Sequence, residues 1–194
     1  MKTQEIDTQI EDLQSQIQNL QKQISGLRAD RPLEEFADYK LKDMDGKEVL
    51  FSSLFKQCDE LLVIHNMGKA CSYCTMWGDT LSSATNIIND RVPLVLISPN
   101  EPEVMNEFVT KRNWQFKCIS AYGSSFIADC GYAHEKEGRT YFMPGVSAFV
   151  KNEGKIYRAN KDTFGPGDMY CSPWHFFDLL AKKVNGWTPK FEYQ

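Results

Sequence analysis

A chain of 194 residues is long enough for one domain with a substantial core plus an extension. Its 22 basic and 26 acidic residues leave a formal net charge of -4, and with no long basic run nucleic acid is an unfavourable partner. No apolar run is long enough to span a membrane, and no apolar segment follows Lys2 to make a secretory signal, so the expected setting is cytoplasmic, with cysteines reduced.

Near the N-terminus, Ile6, Ile10, Leu13, Ile17, Leu20, Ile24 and Leu27 alternate spacings of four and three without a miss. This is a heptad seam, with Ile10, Ile17 and Ile24 at a and Ile6, Leu13, Leu20 and Leu27 at d. β-branched a residues with Leu at d favour a parallel two-stranded coil. The flanking positions are mostly Gln (Gln9, Gln14, Gln16, Gln21 and Gln23), so charge says little about partner choice. Gly26, Asp30, Arg31 and Pro32 mark the end. The expectation is a coiled-coil helix over residues 1–30 that makes a homodimer, followed by a domain over residues 31–194. An amphipathic helix lying on its own domain is the simpler alternative, although its apolar stripe is normally wider than two positions.

Phe36, Tyr39 and Leu41, then Val49-Leu50-Phe51, flank Asp45-Gly46, which reads as a hairpin turn between short strands. Ser52 to Phe55 reads as a helix start or a single turn. Leu61 to Ile64 is an apolar run suited to a strand covered on both faces. Gly68 supplies a bend, and Cys71 and Cys74 then fall on the first turn of a helix carrying Met76, Trp77, Leu81, Ala84 and Ile87 or Ile88 at helical spacing. Val92 to Ile97 predicts a second buried strand, with Pro93 at its entry. Glu101 to Asn113 predicts a helix and Trp114 to Ser120 a third strand, whereas Tyr122 to Arg139 reads mostly as loop. Gly145 to Val150 and Lys155 to Arg158 read as a hairpin with a three-residue turn. Asp168 to Val184 closes the chain as a helix whose core side is Phe176, Phe177, Leu179, Leu180 and Val184. Strand, helix, strand, helix, hairpin and closing helix make a mixed α/β plan, with the first two buried strands parallel.

The chemistry concentrates at Cys71 and Cys74, two of six cysteines and the closely paired ones. A thiol at a helix N-terminus meets unpaired backbone N–H groups and the positive end of the helix dipole, which favour thiolate. Its partner three residues on lies about one turn away, within reach of a disulfide. Cys71 is the expected nucleophile, with Lys69 near enough to add a cation, and Cys74 the resolving thiol. Two structural thiols are the bland alternative. A C-x-x-C between strand and helix in such a unit reads as a thioredoxin-like redox motif. His65 can tune the pair or relay a proton, or be a satisfied core histidine. Trp77 faces the same side as Cys74, with a packing role ahead of substrate contact. Asp79 is either a buried acid near the thiols or solvated. His134, Glu135 and Glu137 read as a solvated loop. Cys58, Cys118, Cys130 and Cys171 are most simply small buried hydrophobes, with Cys130 the one to test as a third redox partner.

Several segments resemble the bacterial predicted dithiol-disulfide oxidoreductases, thioredoxin-like proteins long catalogued as a domain of unknown function. They are His65-Asn66-Met67, Cys71 to Asp79, Trp114-Gln115-Phe116, Ser120 to Phe126, Pro144 to Phe149, and Gly165-Pro166-Gly167-Asp168. They span roughly residues 33 to 184 in the expected order. The resemblance implies a thioredoxin-like, three-layer α/β domain with a mixed central sheet, and thiol–disulfide exchange, but supplies no substrate. The expected partner is a disulfide-containing protein or a small thiol, with no cofactor and no metal. Thioredoxins set a cis-proline opposite the pair, just before a sheet strand. Pro144 is the matching residue here, with Gly145 and Val146 intervening before the strand. Two other functions compete. A thiol peroxidase on this fold generally has Pro and Thr or Ser shortly before its reactive cysteine, and here Gly68 stands where that hydroxyl would be. A metal-binding or non-catalytic dimeric module would use Cys71 and Cys74, with His65, Cys130 or His134 completing a tetrahedral site.

Overall fold

The seven seam residues lie on one uninterrupted 27-residue helix, α1 (Thr3–Ala29), in the computed structural model, which describes residues 3–193. The chain divides into two compact units, the first ending at Glu34 and the second beginning at Glu35. No described helix is long and apolar enough to cross a membrane.

After α1, short strands β1 (Glu34–Phe36), β2 (Lys40–Lys42) and β3 (Glu48–Leu50) precede a 3-10 turn at Phe51–Phe55. Then come β4 (Glu60–His65), α2 (Ser72–Arg91), β5 (Leu94–Ser98), α3 (Pro102–Arg112) and β6 (Lys117–Ser120). The chain continues through α4 (Phe126–Asp129), β7 (Ala133–Lys136), β8 (Arg139–Phe142), β9 (Gly145–Asn152), β10 (Lys155–Thr163) and α5 (Ser172–Phe177). Eight strands form one mixed sheet in the order β1-β10-β9-β4-β5-β6-β2-β3, and β7 and β8 form a separate hairpin. Strand β4 lies parallel to β5 and antiparallel to β9, and β5 is parallel to β6.

Side chains that alternate along a strand point to opposite faces, so the apolar runs feed two cores. Leu61, Val63, Val95, Ile97, Ile119 and Phe149 enter one core with Phe51, Phe55, Phe126 and Tyr132. Ile64, Leu94, Leu96 and Cys118 enter the other with Met76, Trp77, Met105 and Trp114. The sheet is thus covered on both faces, giving the thioredoxin-like three-layer α/β arrangement.

Four local expectations need correction. The segment Tyr122 to Arg139 is not mostly loop: it holds α4 and begins the β7–β8 hairpin. The β9–β10 turn has two residues, Glu153 and Gly154, both at positive φ, because Asn152 and Lys155 already pair. The closing helix is only Ser172–Phe177, and Phe176, Leu179 and Leu180 are 69%, 83% and 57% exposed rather than core. Cys58 is exposed, whereas Cys118, Cys130 and Cys171 are buried.

One glycine fixes how α2 is seated. A Cβ on Gly78 would come within 2.3 Å of the Trp114 ring, which therefore lies directly against the helix backbone. Trp114 also donates its indole N–H to Asp79 at 2.8 Å. Ala is the better helix former by about 1 kcal/mol, but overpacking against a rigid ring costs about 1–3 kcal/mol. Gly78→Ala is therefore expected to lower stability, read as a fall in the urea midpoint. An unchanged or raised midpoint would show that the contact is not tight.

Candidate active site

Cys71 is the N-cap of α2. Its backbone is extended (φ -96°, ψ 105°), and its Sγ accepts the Cys74 backbone N–H at 3.1 Å. The capping position is ordinarily filled by a Ser, Thr, Asp or Asn oxygen; a sulfur there carries negative charge to the positive helix end. The Cys71 carbonyl accepts both the backbone N–H of Thr75 at 3.0 Å and its hydroxyl at 2.9 Å, tying the cap to the first turn. Cys71 is half-buried and Cys74 is buried. The Cys71 Sγ also lies 4.0 Å from the Sδ of Met67, an exposed residue.

The two thiols are shifted in opposite directions. The hydrogen bond from the Cys74 thiol, with backbone N–H bonds at Cys74 and Tyr73, outweighs burial and lowers Cys71 from an ordinary 9.0 to about 7. Cys74 is pushed upward by the same side-chain bond, by burial and by the negative charge of Cys71. Cys71 is thus the thiol that ionises first, and Cys74 the one that keeps its proton.

The loop before the cap is held from its neighbour strand. Asn66 Oδ1 accepts the Gly68 N–H at 2.7 Å, and Asn100 Oδ1 accepts the Lys69 N–H at 2.8 Å. Asn100 follows β5, and its backbone carbonyl accepts the Ser120 hydroxyl at 2.6 Å at the end of β6. Gly68 has φ +104°, and a Cβ there would meet Asn100 Oδ1 at 2.7 Å. The loop carrying Cys71 therefore sits at the carboxyl ends of β4 and β5, where open parallel sheets generally bind ligands. A shallow hollow of about 440 Å³, lined by Lys69, Ala70, Phe108, Lys111, Arg112, Phe191 and Glu192, lies beside it.

The other expected residues divide. Pro144 immediately precedes β9, whose first residue Gly145 pairs with His65, so no residues intervene and Pro144 lies beside the loop that leads to Cys71. No cis peptide bond occurs among the described residues, so Pro144 is trans. Lys69 has an exposed side chain and is not among the groups that lower Cys71. Trp77 is 3% exposed in the second core, against Phe164. Asp79 is ion-paired with Arg112 and accepts the Trp114 N–H, which makes it a brace between α2 and α3 rather than an acid for the thiols.

His65 is a core histidine. Its Nε2 is 2.9 Å from Ser147 Oγ, its ring stacks on Tyr132 at 3.9 Å, and its Nδ1 has no hydrogen-bond partner among the described residues. Burial first, then the positive charges of Arg158 and Lys161, lowers it to about 3, so it is neutral at physiological pH. Tyr132 fits there because Gly145 has no Cβ, which would otherwise lie 2.4 Å from its ring. Cys130 is wholly buried in the first core. His134 is exposed on β7, stacked on Tyr141. Among the described residues, no cluster of three His, Cys, Asp or Glu stands ready to hold a metal ion. Sequence reasoning named Asn66 and Met67 within a family-like segment without giving either a role, and missed Asn100. Asn100 is 29 positions from Cys71 and carries no local signal.

Thiolate fraction sets the pH dependence. Cys71 alkylation by iodoacetamide is expected to rise through a midpoint near pH 7, and to fall as pH drops below it because the thiol becomes protonated. Cys74→Ala removes the principal stabilising donor, so the midpoint should move up toward 9.0. A midpoint unmoved by Cys74→Ala would contradict the assignment.

Solved structures similar to this chain share its fold at low identity. Peroxidoxin BcpB of Mycobacterium tuberculosis is 16% identical, with a TM-score of 0.56 over 68% of this chain and 84% of that one. A peroxiredoxin-like protein of Aquifex aeolicus is 15% identical, with a TM-score of 0.55 over 68% and 74%. A hypothetical protein of Sinorhizobium meliloti 1021 is 17% identical, with a TM-score of 0.52 over 82% and 87%. No curated protein matches. The family described as "Bacterial protein of unknown function (DUF899)" matches residues 12–187, so the chain belongs to that family.

Proposed function

We propose that the protein is a thiol–disulfide oxidoreductase whose nucleophile is Cys71 and whose resolving thiol is Cys74. The observation that carries this reading is the pairing of a half-buried, helix-capping thiol lowered to about 7 with a buried thiol raised by it. The Cys71 thiolate attacks one sulfur of a substrate disulfide, forming a Cys71–substrate mixed disulfide and expelling the other sulfur as a thiolate, which takes a proton from water. Cys74 then loses its proton and attacks Cys71 Sγ. The second substrate thiol leaves, and a Cys71–Cys74 disulfide remains, holding the two oxidising equivalents until an external thiol reduces it.

The order of the two attacks follows from the coupling. While Cys71 is a thiolate, its charge and its acceptance of the Cys74 hydrogen bond hold the Cys74 proton in place. Once Cys71 is in a mixed disulfide that charge is gone, and two of the three influences raising Cys74 go with it. Cys74 becomes easier to ionise at the step that needs its thiolate. His65 has no part in these transfers, since it is neutral and buried behind the loop, with Nε2 on Ser147.

A thiol peroxidase is the second reading, and the fold shared with peroxiredoxins favours it. Against it, the position three before Cys71 is Gly68, whose positive φ and closeness to Asn100 leave no room for a hydroxyl-bearing side chain. A non-catalytic dithiol module is a third reading, and it predicts no turnover of any disulfide.

In the reduction of a protein disulfide by dithiothreitol, Cys71→Ser is expected to bring the rate to the uncatalysed level. Cys74→Ser should accumulate a mixed disulfide on Cys71, visible by mass spectrometry without reductant. Wild-type rates in Cys71→Ser would overturn the proposal. Faster consumption of hydrogen peroxide than of disulfide would favour the peroxidase.

A further inference from the structure

We infer that α1 pairs with α1 of a second copy of this chain as a parallel, two-stranded coiled coil. Every described residue of α1 is unburied in the single chain, and Ile6, Ile10, Leu13, Ile17, Leu20, Ile24 and Leu27 are 40–73% exposed. Seven large aliphatic side chains in a row are not a normal solvent face. A single helix in water is held only by its own propensity and draws most of its stability in proteins from packing an amphipathic face.

The pattern selects the occupant. Spacings of four and three give a period of 3.5 residues, which keeps the stripe facing one partner as two helices wind left-handedly about each other. The stripe is two positions wide, too narrow for a broad concave surface and matched to an identical ridge. Knobs at a fill holes best in a two-stranded parallel coil when they are β-branched, and Ile10, Ile17 and Ile24 are all Ile; three of the four d residues are Leu. The helix continues straight through the whole seam, with no proline inside it.

The flanks permit self-pairing. In a parallel pair each g residue faces the e residue of the next heptad on its partner. Gln9 then meets Gln14, Gln16 meets Gln21, and Gln23 meets Arg28. No like-charged pair stands across the seam, so two copies approach without repulsion. Nothing there selects a differently charged partner either. At roughly 80 Å² of apolar surface per side chain, fourteen seam residues would withdraw on the order of 1,000 Å² from water, the size at which interfaces become specific. A dimer would also put two Cys71–Cys74 pairs in one particle, independently of whether the pairs turn over.

Sedimentation equilibrium of the full chain tests this. The expected species has twice the 22.3 kDa chain mass at micromolar concentration. Leu13→Lys with Leu20→Lys should give monomers, with the Cys71 alkylation profile unchanged. Ile10→Ala with Ile17→Ala adds no charge and should raise the dimer dissociation constant at least tenfold. Ser15→Lys with Lys22 retained places charge on the opposite face and should leave the dimer intact. Thr3→Cys, one heptad before Ile10 at a, should form an interchain disulfide that the wild type lacks. A monomeric or higher-order wild type, a dimer that survives both seam variants, or a dimer in which Thr3→Cys stays uncrosslinked would each overturn the proposal. Loss of Cys71 reactivity with the dimer intact would instead count against the redox reading alone.

Discussion

A single sulfur accepting a backbone N–H at the start of a helix organises the second unit of this protein. Cys71 occupies the N-cap of α2 and takes the bond from Cys74 N–H at 3.1 Å. That one contact satisfies an orphan helix donor and stabilises negative charge on the sulfur at the same time. Burial opposes the charge, and the hydrogen bonds win because there are several of them on one atom. The geometry is set from below: β4 aims the chain at the sheet end, and Asn66 and Asn100 hold the two N–H groups of the bend. α2 in turn is anchored by Trp77 in the core and by Asp79 on Arg112 and Trp114.

The legible parts of the sequence were those whose signal is local. Leu61–Ile64 and Leu94–Ile97 are apolar runs bounded by turn residues, and they became the buried parallel pair β4 and β5. Cys71 and Cys74 were read onto the first turn of a helix that follows a strand, and in the fold Cys71 caps α2 and Cys74 lies in its first turn. Asp45-Gly46 announced the β2–β3 hairpin. The misreadings share a cause, which is that long-range contacts decided the outcome. The segment from Tyr122 to Arg139 looked too polar for structure, yet Phe126, Ile127 and Tyr132 anchor it in the first core while its β7–β8 face stays wet. The final helix had an apolar periodicity to Val184, but it gives way to turns after Phe177, and its aromatic residues pack on one another: Trp174 on Trp187, Phe177 on Trp187. Asp79 was ambiguous because its partner Arg112 lies 33 residues away.

Fold and chemistry separate cleanly in this protein. The fold is similar to that of a peroxidoxin and a peroxiredoxin-like protein at 15–16% identity, and a similar scaffold does not assign a reaction. What distinguishes chemistries on one scaffold is the ring of atoms around the reactive sulfur. Here that ring consists of a second thiol one helical turn on, a thioether 4.0 Å away, backbone N–H groups, and a glycine where a hydroxyl would otherwise stand. A second free thiol one helical turn from the first is suited to closing a disulfide. The neutral, buried His65 behind them contributes packing with Tyr132 and Ser147 rather than proton traffic.

The central claim is that Cys71 and Cys74 interconvert between dithiol and disulfide as one two-electron unit. Equilibrating the protein in glutathione buffers of graded ratio, then quantifying the Cys71–Cys74 disulfide by differential alkylation and mass spectrometry, measures this directly. The account predicts a single reversible transition with two-electron steepness, about 30 mV per tenfold change in the ratio of oxidised to reduced protein. A pair that stays reduced throughout, or that stops at a persistent Cys71–glutathione adduct which Cys74 never displaces, would contradict it.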